Sequence, residues 1–62
     1  MKTWYAVELN HDNANALRAW LKNNGVSYET SACGTRAVPM THFEMFMDKE
    51  TADICQEFID KL

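Results

Sequence analysis

The apolar residues change period four times along 62 residues. A chain this short has to fit every change into one small layered unit. Residues Thr3–Leu9 alternate, with Tyr5, Val7 and Leu9 pointing one way and Trp4, Ala6 and Glu8 the other. That is a strand with one strongly apolar face. Asn10, Asp12 and Asn13 then offer side-chain acceptors to the unpaired N–H groups of a helix start. Ala16, Leu17, Trp20 and Leu21 recur at helical spacing, and Arg18 and Lys22 favour the negative C-terminal half. Asn24-Gly25 stops this helix, which is predicted over Asp12–Asn23.

Val26–Cys33 reads as a second strand, with Val26, Tyr28 and Thr30 on one face. Gly34-Thr35-Arg36 is a turn signal. Thr41–Met47 is a third strand, with Phe43, Met45 and Met47 on one face and His42, Glu44 and Phe46 on the other. A two-residue turn, whether Gly34-Thr35 or Thr35-Arg36, turns Tyr28 to the same side as Phe43. Pro39 cannot donate to a strand ladder, so pairing is expected to fail near it and the tip Cys33–Pro39 to project, with Arg36 exposed. Asp48 caps a second helix whose stripe is Cys55, Phe58, Ile59 and Leu62, joined by Ala52 and Ile54. Glu57 and Lys61 are spaced as an i,i+4 pair.

These elements predict a single α+β domain over residues 1–62, ordered β-α-β-β-α. Strand, helix and strand make a right-handed crossover, and the hairpin lays the third strand antiparallel to the second. The third strand is apolar on both faces and belongs in the centre, giving the order 1-3-2. Both helices cover one face, with Phe43 and Phe58 expected to be buried beneath them. The layout resembles a ferredoxin-like fold lacking its last strand, a resemblance of fold that carries no function by itself.

A chain of this size buries only about 60% of its unfolded surface, and one such core rarely supplies more than ~3–5 kcal/mol without a staple. The hydrophobic share of 47% and charged share of 24% are those of a folded domain. Cys33 and Cys55 lie in no paired motif, and no signal peptide precedes them, so reduced thiols in a cytoplasmic setting are expected. The longest apolar run, Trp4–Val7, is far short of the ~20 residues of a membrane helix. A net charge of −3 gives no pull towards a phosphate backbone.

No chemistry-bearing motif stands out. His11, Cys33, His42 and Cys55 lack zinc-type spacing, so no metal or other cofactor is expected. Cys33, beside Gly34 and near Arg36, has no positioned base in the sequence, and Cys55 reads as a small core hydrophobe. Glu8, Glu29 and Glu44 read as solvated carboxylates on a sheet face, and the chain is too short for a substrate cleft. The expectation is a protein that is not an enzyme.

The uncovered face of the sheet carries the remaining signal. Trp4, Met40 and Phe46 make an apolar centre, rimmed by acidic residues, with His42 among them and Arg36 at the hairpin tip. These five are the expected partner-binding residues. The plainer alternative is that Trp4 and Phe46 only pack on each other across strands. The expected role is binding or regulation through protein contacts, of the kind short accessory genes of phages or mobile elements encode. An unguarded first strand, flanked only by Lys2 and Glu8, adds the expectation of a homodimer. Base stacking on Trp4 and Phe46 is the alternative function, and the acidic residues on the same face oppose it.

Overall fold

The computed structural model describes all 62 residues. It contains β1 (Thr3–Asn10), α1 (His11–Asn23), β2 (Ser27–Gly34), β3 (Pro39–Met47) and α2 (Lys49–Asp60). The sheet has the order β1-β3-β2, and β3 pairs antiparallel with both neighbours. The expected β-α-β-β-α layout is therefore the observed one.

Register sorts the side chains. Tyr5, Val7 and Leu9 of β1 lie opposite Met45, Phe43 and Thr41 of β3, and Tyr28 of β2 also lies opposite Met45. This set faces the helices. The core comprises Leu9, Ala14, Leu17, Leu21, Phe43, Met45, Met47 and Cys55. Each helix thus contributes to one core on one side of the sheet, and Trp20 stacks on Phe58 at 5.9 Å to join the helices to each other.

Both helices begin on a side-chain cap. The Asn13 N–H donates to Asn10 Oδ1 at 2.9 Å, so α1 starts at His11, one residue earlier than its expected start at Asp12. At its far end the Val26 N–H donates to the Leu21 carbonyl and the Gly25 N–H to the Lys22 carbonyl, at 3.0 and 3.2 Å. With Gly25 at φ 65° this is a Schellman closure, and it brings Val26 back onto the core that holds Leu21. Val26 therefore belongs to the helix stop, and β2 begins after it.

At α2 the Thr51 N–H donates to Asp48 Oδ1 at 2.9 Å. That bond, with the Thr51 hydroxyl and the nearby amino terminus and Lys2, holds the Asp48 carboxyl below its ordinary range. The depressed value means the cap stabilises the fold above the unfolded carboxyl value near ~3.9 and is lost as pH falls through the folded one. The thermal midpoints of the wild type and Asp48→Ala are therefore expected to differ at neutral pH and to converge in acid. An equal difference at both pH values would remove the cap from this account.

The hairpin and the second helix correct several expectations. Pairing does not fail at Pro39: it is the first residue of β3 and lies opposite Gly34. Proline at a strand's first position forfeits no necessary ladder bond. The loop is the longer Thr35–Val38, closed by the Thr35 N–H donating to the Val38 carbonyl at 3.1 Å, and Arg36 is exposed there. Phe58 is only half-buried, Ile54 is 57% exposed and Leu62 lies beyond the helix. Lys61 is the C-cap and forms no ion pair with Glu57; the helix carries the pair Lys49–Asp53 at 3.1 Å instead.

Candidate functional site

The face away from the helices is read row by row from the register. Trp4, Phe46 and Ser27 form the first row, then Ala6, Glu44 and Glu29, then Glu8, His42 and Ser31, and finally Asn10, Met40 and Cys33 beside the hairpin loop. The structure thus places Trp4, Met40, His42 and Phe46 on one face, as expected.

It does not place them in one patch. Trp4 and Phe46 pack together with ring centroids 5.1 Å apart and planes tilted by 45°, yet Trp4 remains 55% exposed. Met40 stands half-buried at the other end, about 20 Å away at the ordinary rise of a strand. Arg36 projects beyond it. The expected apolar centre with an acidic rim is inverted: the acids hold the middle and the apolar groups hold the two ends. The reason is the period of two, which sets Ala6, Glu8, Glu44 and Glu29 between the two ends on the same side.

His42 sits in this acidic middle. Its Nδ1 is 3.3 Å from Glu8 and its Nε2 is 3.6 Å from Glu44. A ring protonated at Nδ1 can donate to Glu8, and a doubly protonated ring adds an ion pair with Glu44, whose separation is too long for a hydrogen bond. The carboxylates are 58% and 54% exposed, so water screens the pairing and its worth is small. Glu29 lies directly opposite Glu44 with no cation between them, an unfavourable cross-strand pair. Beside them is a shallow depression lined by Glu29, Thr30, Ser31, His42 and Glu44, with no apolar residue in its lining.

The cysteines take no part in a reactive pair. Cys33 lies on the open face and Cys55 in the helix-side core, and both are free thiols. Desolvation, and then the negative charge of Glu8, push the Cys33 thiol up; burial does the same to Cys55. A nucleophilic cysteine needs the opposite shift. No group of three or more His, Cys, Asp or Glu residues is arranged to hold a metal ion. No helix is long and apolar enough to cross a membrane.

One exposed apolar residue escaped the periodicity argument. Val38 is 60% exposed in the hairpin loop, next to Pro39. Its only signal was a β-branched residue in a turn. No protein-family model matches the chain, and comparison with curated proteins and with solved structures finds no significant match.

Proposed function

We propose that this chain is a small, non-enzymatic protein-binding module that contacts its partner through the open face of the sheet. The observation that carries the reading is the Trp4–Phe46 pair. Among the aromatic residues, Phe43 is fully buried and Tyr5, Trp20, Tyr28 and Phe58 are partly buried against the core. Only Trp4 and Phe46 are turned to the uncovered side. A tilted, partly exposed aromatic pair is the type of group that dominates binding energy once a partner dries it. His42 and Met40 extend the contact along the face, and Arg36 adds a cation at the tip. A regulatory or accessory role in the cytoplasm is part of the same proposal; both cysteines are free thiols, the state a reducing compartment maintains.

The test is affinity capture from extract of the native host, comparing wild type with the double variant Trp4→Ser, Phe46→Ser. A partner held by the wild type is expected to bind the variant at least about 30-fold more weakly, since truncating a central aromatic typically costs ~2 kcal/mol or more. The far-ultraviolet circular dichroism should be unchanged, because neither ring lies in the core. Equal capture by both proteins would sink the reading. Retention of the wild type on single-stranded DNA, released by salt, would replace it with nucleic-acid binding.

A further inference from the structure

The 6 lysines and arginines of the chain all stand outside the middle of the open face. Arg18 lies 5.7 Å from the centre of the Phe43 ring, on the helix side of the sheet. Lys22 is in the last turn of α1, and Lys49 and Lys61 stand at the two ends of α2, where Lys49 pairs with Asp53. Lys2 borders Phe46 and Asp48 at the aromatic end of the face, and its charge and that of the amino terminus reach Asp48. Arg36 lies at the opposite end, in the hairpin loop. None of these cations forms an ion pair with Glu8, Glu29 or Glu44. The middle of the face therefore holds three carboxylates and one imidazole, and His42 is shared between Glu8 and Glu44.

Glu29 is left without any cation, directly opposite Glu44, where paired side chains start about 4.5–5.5 Å apart. That spacing suits a guanidinium, whose planar fork of donors can serve two carboxylates at once. The shallow depression that Glu29 and Glu44 line with Thr30, Ser31 and His42 leaves room for it. Phe46 follows one row along β3, about 7 Å from Glu44 at the ordinary strand rise. The β1 residue level with Glu44 is Ala6, so no bulky side chain of β1 separates the carboxylates from the Trp4 ring.

We infer that the partner presents an arginine to Glu29 and Glu44, next to an apolar side chain that covers Trp4 and Phe46. This deepens the open-face reading and rests on it. The incoming guanidinium relieves a like-charge repulsion that the free chain carries, and it makes charge-assisted hydrogen bonds. Other occupants meet this face with the wrong sign. A second copy packed face to face would set one acidic middle on another, and a nucleic acid or an anionic membrane would bring phosphates to it.

The probe is the peptide acetyl-Leu-Thr-Arg-Thr-Arg-amide, whose alternate residues match the spacing of the first three rows. The control carries citrulline, uncharged and of the same shape, at both arginines. Titration of the full chain at low salt is followed by backbone amide shifts and the Trp4 indole signal. The arginine peptide is expected to shift Trp4, Glu29, Ser31, His42, Glu44 and Phe46, and to bind about tenfold or more tightly than the control. Glu29→Gln with Glu44→Gln should weaken it about fivefold or more, whereas Glu50→Gln with Glu57→Gln, which removes the same charge from exposed positions of α2, should change it less than about twofold. The first double variant should melt at or above the wild-type temperature, since it removes a like-charge pair from the sheet. Equal affinity for the two peptides, equal weakening by the two double variants, shifts confined to the helices, or no response at about 5 mM peptide would overturn the inference. The open-face reading is judged separately by capture: a host partner lost by Trp4→Ser, Phe46→Ser but held in full by Glu29→Gln, Glu44→Gln would remove the arginine and leave that reading standing.

Discussion

Phe43→Ala is expected to leave the chain largely unfolded at room temperature. Phe43 is fully buried at the centre of the middle strand. Tyr28 lies against it at 6.1 Å and the Arg18 guanidinium sits 5.7 Å from the ring centre, closing it from two sides. Removing a buried phenyl ring costs about 3–5 kcal/mol, which is as much as a core of this size supplies. Phe58→Ala should cost clearly less, because Phe58 is only half-buried, against Trp20 and the margin of the core. Urea titrations of the two variants check this. Equal midpoints, or a folded Phe43→Ala with the wild-type midpoint, would show that the core is not centred where β3 places it.

Gly34→Ala is expected to be the second most damaging change, although the residue is exposed. Gly34 has φ 82°, a region that costs a residue with a side chain about 1–3 kcal/mol. An added Cβ would also overlap the Val38 carbonyl and press on Met40. The carbonyl is backbone and accepts the bond from the Thr35 N–H that closes the loop, so it cannot simply turn aside. Gly25→Ala is the control: it has positive φ too, at 65°, but nothing lies within 4 Å of its added Cβ. Its cost should be the conformational one alone. Hydrogen exchange at Thr35–Val38 should speed up in Gly34→Ala and not in Gly25→Ala. Indistinguishable stabilities would mean that the loop relaxes freely.

Much of this fold was legible because burial and period agree along β1, β3 and α1. Leu17 and Leu21 of α1, Leu9 of β1 and Phe43, Met45 and Met47 of β3 all face the core that their spacing assigns them. The hairpin shows how far such reasoning reaches. Parity turned Tyr28 to the side of Phe43 correctly, but Tyr28 lies opposite Met45, because the loop holds more residues than a two-residue turn. Parity survives any even slip, and turn composition did not reveal the loop length. Ala14 is fully buried and was passed over, since a methyl group adds little to an apolar stripe yet lets a helix approach closely. Ile54 and Phe58 failed in the other direction: Cys55 is the one fully buried residue of α2, so fewer of its positions are enclosed than its apolar stripe suggested.

Of the candidate site, the sharing of one face by Trp4, Met40, His42 and Phe46 was readable from alternation alone. The acidic middle was not, because it depends on which residue of each strand stands level with which.

The central place of β3 has a consequence for the order in which the molecule is assembled. β2 and β3 are separated only by a short loop, so their pairing closes little chain. The nearest β1–β3 partners, Asn10 and Met40, are separated by all of α1 and β2, and closing that span costs more entropy. The hairpin can therefore form early, while β1 has nothing to join until β3 is in place. The two borders of the sheet are consequently of different age. One arrives with the hairpin, and the other comes into being only when the N-terminal segment docks.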